Sequence, residues 1–377
     1  MTIPDLNNKI TELLSLISAV SKCNFGDADR NVFRDEILQI AKIISNQPLA
    51  TFTQHQLDAF EIDIKISIDW LQLLLASHNF MPCKEISFCI NKLILDWDCR
   101  ANYKIVVFTI GNYSINKKPE EVAKSILLVW SQRFKVQITK EPVFISLPAK
   151  YKDEVLSNIV LFHEVGHYVD KENAIAGLVV DDVIKEIDKG TSCRILREYF
   201  PHFYNQSDVD EKILYAHISE YFADLFAAQY TGRHILNYLD YLEASHPNKY
   251  YDNHPTCVCR HKFVEAVIKY FKCGTTSDHL LTYFILAVKN VLQRNIEIYD
   301  TDIDENDIIS GNLNMQSDSE MMSVFIKSWN IVIRERDKAK LPMENEVDYD
   351  NMRALEIYGK IDAGLRAAIS AYQMRHP

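Results

Sequence analysis

His163-Glu164-Val165-Gly166-His167 places two imidazoles and a carboxylate within one short stretch of helical character. Residues four apart on a helix share a face, with Cβ atoms roughly 6 Å apart, so His163 and His167 can reach one ion. Glu164 stands one step round the helix, close enough to act on a water held by that ion. The chemistry these residue types serve is metal-assisted hydrolysis. Further along, the segment from Ala216 to Ala228 repeats the helical period and sets Glu220 and Asp224 one turn apart. Ala216, Ala223 and Ala227 flank them, and small side chains there let the two helices approach closely. Glu220 is then the candidate third ligand, with the fourth position left for water, as open catalytic zinc sites require. Asp224 is placed to accept the remaining N–H of a ligand histidine and fix its tautomer.

The competing reading is a pair of core histidines that only satisfy hydrogen bonds. Ligand spacing around a glutamate, matched by an acidic helix, weighs against it. The metzincin pattern HExxHxxGxxH fails, because Asp170 and Asn173 occupy its glycine and third histidine positions. Asp170 is read as a solvated late-helix acid in preference to a ligand or a ligand's support. Leu156, Ile159 and Val160 continue down the face of the two histidines, so the site is expected to be built against the core, on a helix starting near Asp153.

HExxH followed by a helix bearing ExxxD resembles the gluzincins, the thermolysin-like zinc peptidases. A third element, His254-Pro255-Thr256-Cys257-Val258-Cys259-Arg260, resembles the family that includes the CAAX-processing prenyl endopeptidase. The resemblance spans Val155 to Phe263. It implies one zinc ion per chain on His163, His167 and Glu220, and peptide hydrolysis with Glu164 as general base. It also implies an oxyanion-stabilising role for His254 and an active-site role for Arg260. Arg260 and, by proximity in sequence, Tyr250 or Tyr251 are the alternate oxyanion donors, though tyrosines there are more often packing residues. One departure is plain: those relatives are membrane-embedded, and this sequence shows no spanning segment. His254, Cys257, Cys259 and His261 crowd together as a second zinc site would. A Cys-x-Cys on a helix points its thiols apart, however, so His254 is kept for the catalytic site.

Behind these motifs stands a chain of 377 residues, 47% hydrophobic and 25% charged, ordinary for a globular protein of one large or two smaller domains. A net charge of −11 argues against a broad nucleic-acid-binding face. The amino terminus reads as neither signal peptide nor membrane span. Eight irregularly placed cysteines form no secreted disulfide framework, so the expected location is the cytoplasm.

Three regions are expected. Residues 1–100 read as a helical region, with periodicity at Ile10, Leu13, Leu14 and Ile17, and again at Ile37, Ile40, Ala41 and Ile44. The run from Ile62 to Leu75 is ambiguous, alternating at first as a strand would, and helix is preferred. Residues 101–275 are expected to form a zincin-like catalytic domain. It opens with strands over 104–110, Phe134 to Thr139 and Val143 to Leu147, and a helix starts at Pro119–Ala123. The last strand is a candidate edge for pairing with an extended substrate, against the alternative of a buried strand. The aromatic run from Tyr199 to Tyr204 reads as packing in preference to a cleft wall. Residues 276–377 are read as a C-terminal helical region packed on the core. The Asp300, Asp302, Asp304 series fails as a calcium loop at Glu305 and Gly311.

The expected fold is predominantly α with a small β-sheet, a zincin-like core with helical flanks. The expected function is an intracellular zinc metallopeptidase acting on a selective protein or peptide substrate, with a regulatory partner or activator working through the flanks. The alternatives are an interaction protein whose zincin core hydrolyses little or nothing, and a zinc hydrolase of non-peptide amides.

Overall fold

The computed structural model describes residues 2–26, 28–79, 83–97, 103–110, 127–148, 151–188, 193–203, 209–237, 239, 253–338 and 355–376. They are predominantly helical and divide into two compact units.

The first unit comprises Met1–Ser87 and Arg100–Asp153. Its helices are α1 (Ile3–Val20), α2 (Ala28–Ser45) and α3 (Gln54–Asn79). Thr2 starts α1 with a capping box: its hydroxyl accepts the Asp5 N–H, and the Asp5 carboxylate accepts the Thr2 N–H. In α3 the ambiguous isoleucines resolve at helical spacing. Phe60, Ile64 and Ile68 form one buried face, while Ile62 is 60% exposed. Strands β1 (Tyr103–Ile110) and β2 (Glu141–Pro148) pair in parallel, from Tyr103 opposite Glu141 to Ile110 opposite Pro148.

Parallel neighbours need a crossover, and this one includes a helical stretch over 127–134. The start expected at Pro119–Ala123 lies outside the described residues. Phe134 to Thr139 is not the strand expected from its composition. Phe134 ends the helical stretch, and Lys135 adopts a left-handed φ of 54° that stops it. Thr139 then gives its N–H and hydroxyl to Glu36 Oε1, both at 2.9 Å, and not to a strand. Both faces of β2 are covered, with Val143, Phe144, Ile145 and Leu147 all buried. Phe144 packs on Phe33 of α2 and Trp70 of α3, with ring centroids 5.3 and 5.2 Å away. The sheet therefore shares its core with the N-terminal helices, so the expected boundary after residue 100 falls inside a unit.

The second unit comprises Phe88–Cys99, which holds most of α4 (Lys84–Trp97), and Glu154–Pro377. It continues with α5 (Val160–Asn173), α6 (Ile175–Asp188), α7 (Cys193–Tyr199), α8 (Glu211–Thr231), α9 (Cys257–Cys273) and α10 (His279–Leu292). The last elements are α11 (Glu305–Ser310), α12 (Asp318–Lys338) and α13 (Glu356–Arg375). Every residue of α8 from His217 to Thr231 is buried. A helix covered all round belongs at the centre of a bundle, and α5, α6, α9 and α12 pack on it.

Regular helix before the histidines begins at Val160, not near Asp153. Leu156–Ile159 is a 3-10 turn in which Asn158 leaves the helical region (φ −93°, ψ 25°). Asp362 of α13 holds the entry to that turn, accepting the N–H groups of Val155 and Leu156 at 2.8 Å each. The described part of 276–377 thus shares a unit with the ligand helices. Tyr199, Phe200 and Phe203 are buried against Tyr221, Phe263 and His217, as the packing reading of that run expects. Among the described residues, no helix is long and apolar enough to cross a membrane.

Candidate metal centre

The centre is made where α5 and α8 touch, and a glycine lets them touch. A Cβ on Gly166 would stand 2.8 Å from the Ala223 Cα and 2.9 Å from the Phe226 Cβ. Only a residue without a side chain fits opposite the small Ala223, so the backbones approach to a distance that larger residues forbid. That contact sets His163 and His167, on either side of Gly166, against Glu220 of α8.

His163 Nε2 lies 3.3 Å from Glu220 Oε2, and His167 Nε2 lies 3.2 Å from Glu220 Oε1. The three candidate ligand atoms fall within 4.8 Å of one another, and all three residues are buried. Bonds of zinc to imidazole nitrogen and carboxylate oxygen place neighbouring atoms of a tetrahedron about 3.3 Å apart. The residues present fit such an ion in atom type, spacing and burial. Among the described residues no other group of three His, Cys, Asp or Glu side chains converges in this way. Cys257 and Cys259 are buried and, among the described residues, belong to no disulfide and to no such group.

The opposite nitrogen of each ring is held from behind. His163 Nδ1 meets Asp224 Oδ1 at 2.9 Å, the contact expected of Asp224. Asp224 also receives a bidentate pair from Arg260, Nε to Oδ2 at 2.8 Å and Nη2 to Oδ1 at 2.7 Å. Burial would raise the Asp224 carboxyl, but Arg260 and His163 hold it below its ordinary value. An ionised Asp224 has no hydrogen to give, so His163 Nδ1 must donate, leaving the Nε2 lone pair on the ligand side when the ring is neutral. His167 Nδ1 lies 3.2 Å from Ser219 Oγ, and Ser219 donates to Asp170 Oδ2 at 2.7 Å. Asp170 is thus a buried support at 1% exposure, not the solvated acid its late-helix position predicts.

The pair of carboxylates sets the charge of the site. Burial alone would lower His163, yet hydrogen bonds to Asp224 and Glu220 raise it to about 9 in the metal-free chain. Burial would raise Glu220, but the adjacent His167, with His163 and His254, holds it well below the ordinary carboxylate range. Two carboxylates, Asp224 and Glu220, face one guanidinium, Arg260, so the α5–α8 face favours a bound positive charge.

Residues carried by the resemblance fall in two places. Pro255 and the N-cap Thr256, whose hydroxyl accepts the Cys259 N–H, start α9 between His254 and Arg260. His254 keeps a side-chain exposure of 41% while its Nδ1 sits 3.2 Å from Glu220 Oε1, so it borders both the ligand and the open side. Arg260, at 3% exposure, is locked on Asp224, with Nη2 also 3.5 Å from Glu220 Oε2. It neutralises carboxylates behind the ligands and is not placed to meet an oxyanion. Glu164 is half-buried, and among the described residues no hydrogen bond or ion pair ties its carboxylate. Tyr250 and Tyr251 lie outside the described residues.

Sequence reasoning set Asp170 aside as a support and missed the part played by Ser219. The signal was present as spacing: Asp170 is three residues beyond His167, on its own face, and Ser219 directly precedes Glu220. Comparison with protein families, curated proteins and solved structures gives no match to this chain.

Proposed function

We propose that the chain is a zinc-dependent metallopeptidase of the gluzincin type, with a zincin-like core in its second unit and a protein or peptide substrate. The observation that carries the reading is the convergence of His163 Nε2, His167 Nε2 and the Glu220 carboxylate, with both Nδ1 atoms tied behind and a glutamate at the HExxH position.

His163, His167 and Glu220 would hold the ion, whose Lewis acidity brings a water into the reactive range near neutral pH. Glu164, untied among the described residues, takes the proton of the attacking water as its oxygen bonds to the peptide carbonyl carbon. It returns that proton to the amine as the C–N bond breaks. His254 borders the pocket and offers an N–H to the developing oxyanion. Asp224 and Arg260 keep the ring of His163 in place during turnover.

The test compares wild type with Glu164→Gln, measuring zinc content by elemental analysis and new peptide termini in an incubated lysate by mass spectrometry. The expected result is one zinc in both forms and cleavage by wild type alone, with a loss of about a hundredfold or more in the variant. Zinc in both forms without cleavage by either would favour an interaction protein. Cleavage of small amides without peptides would favour the non-peptide hydrolase. Absence of metal would refute the reading.

A further inference from the structure

His167, Ser219 and Asp170 form a hydrogen-bonded chain that belongs to neither the HExxH nor the ExxxD pattern. We infer that Asp170 and Ser219 are positioning residues that act through His167, holding its Nε2 lone pair toward the metal. The inference rests on the zinc reading and extends it to two residues outside the ligand set.

The direction of the chain follows from counting hydrogens. Asp170 Oδ1 accepts the Ala176 N–H at 2.6 Å, and Oδ2 accepts the Ser219 hydroxyl at 2.7 Å. Serine has one hydrogen, and Asp170 takes it, so Ser219 can only present a lone pair to His167. His167 Nδ1, 3.2 Å away, must then carry the hydrogen. A neutral imidazole with its hydrogen on Nδ1 has its lone pair on Nε2, the atom that faces Glu220 Oε1. All three side chains are buried, so water does not compete for these bonds. The chain ends on backbone: the Ala176 amide lies in the first turn of α6, just past Ala174, whose left-handed φ of 53° closes α5. The ring of His167 is thereby referred to the α5–α6 turn, as the ring of His163 is referred to Arg260 through Asp224.

Two substitutions separate this role from simple packing. In Asp170→Asn the shape is kept, but the Ala176 N–H still needs an acceptor, so the amide oxygen faces it and the NH2 faces Ser219. Ser219 then accepts from Asn, and its own hydrogen turns toward His167 Nδ1. The chain is reversed, and the ring is left with its hydrogen on Nε2. Ser219→Ala cuts the chain while leaving Asp170 bonded to the Ala176 N–H of α6. Zinc affinity is read by competition with a chromophoric chelator, and the hydrogen of His167 by long-range 1H–15N spectra of the zinc-loaded protein.

We expect both variants to bind zinc about tenfold or more weakly, with Ser219→Thr, which keeps the hydroxyl, nearer to wild type. Wild type should carry the hydrogen on Nδ1 of His167. Affinities of both variants within about twofold of wild type would overturn the inference alone. A wild-type hydrogen on Nε2 would do the same, and that reading stands even if a variant fails to fold. A wild type that binds no zinc would overturn this inference and the zinc reading together.

Discussion

His163 and His234 are equally buried, at 5% exposure each, and titrate in opposite directions. His234 closes the 3-10 turn Gly232–His234 after α8, its Nε2 2.8 Å from Asn330 Oδ1 and its ring stacked on Trp329. Burial, with the charges of Arg233 and Arg336 and against the Asn330 bond, pushes it down to about 4. His163 meets the same burial, but Asp224 and Glu220 reverse it and carry the ring up to about 9. Burial is common to both regions; the partner decides. The α5–α8 face is built to hold positive charge, a proton in the metal-free chain and a divalent cation in the proposed function. The region around His234 is built to keep a neutral ring as filler, so the core-histidine alternative is realised in this chain at His234.

The largest effect should come from breaking the charged side of this comparison. Arg260→Met leaves a similar volume but strands the Asp224 carboxylate, which has no exposure, beside Glu220. Removing one partner of a buried pair costs about 3–5 kcal/mol. Urea unfolding of the metal-free variant should show a loss of that order. Zinc should restore part of it, because the ion replaces the missing positive charge. An unaltered midpoint would mean that Arg260 does not balance these carboxylates.

Next in size is the pH response. His234 has a folded value of about 4 against 6.5 for the free side chain. The cost is absent above 6.5 and grows as pH falls from 6.5 toward 4, because only the unfolded chain takes the proton. Over that window it reaches about 3 kcal/mol. His234→Gln should flatten this acid limb, and urea titrations of both forms across the window check it. His163 has the opposite sign. Its folded value of about 9 lies above 6.5, so its contribution is whole below 6.5 and is lost as pH rises through 9. That alkaline loss should appear in the metal-free protein and vanish with zinc bound. The same alkaline slope with and without zinc would mean that the ion and the proton do not share this site.

Much of the site was legible because its residues lie at helical spacing. His163, His167, Glu220 and Asp224 can be placed from the period alone, and their distances agree with it. Asp170 was misjudged because late-helix acids are usually wet, and only the packing of α5 on α8 shows it covered. The resemblance gives Arg260 only a general active-site role. That its guanidinium turns inward onto Asp224 is visible only in the packing of α9 on α8, because spacing along a chain does not say which face of a helix turns inward. The alternating isoleucines of α3 mimic a strand, and the four-residue spacing from Phe60 settles them as helix only when burial is known. The sheet was placed in the wrong company, because apolar strands announce themselves locally while their partners, here Phe33 and Trp70, come from distant sequence.

Two helical glycines give the smallest effect and the finest test of that packing. Gly166 and Gly177 both stand inside helices, where alanine is favoured by about 1 kcal/mol. A Cβ on Gly177 would meet only Tyr215, at 4.0 Å, so Gly177→Ala should gain most of that and raise the melting temperature. A Cβ on Gly166 would press on the Ala223 backbone at 2.8 Å, which cannot move aside as a flexible side-chain end does. Overpacking of this kind costs about 1–3 kcal/mol, so the helix preference is offset or outweighed. The relief available is separation of α5 from α8, and that moves His163 and His167 together away from Glu220. Gly166→Ala should therefore weaken zinc binding beyond any change in melting temperature, whereas Gly177→Ala leaves zinc binding unchanged. Equal zinc affinity in the two variants would show that the close approach of these helices does not set the ligand spacing.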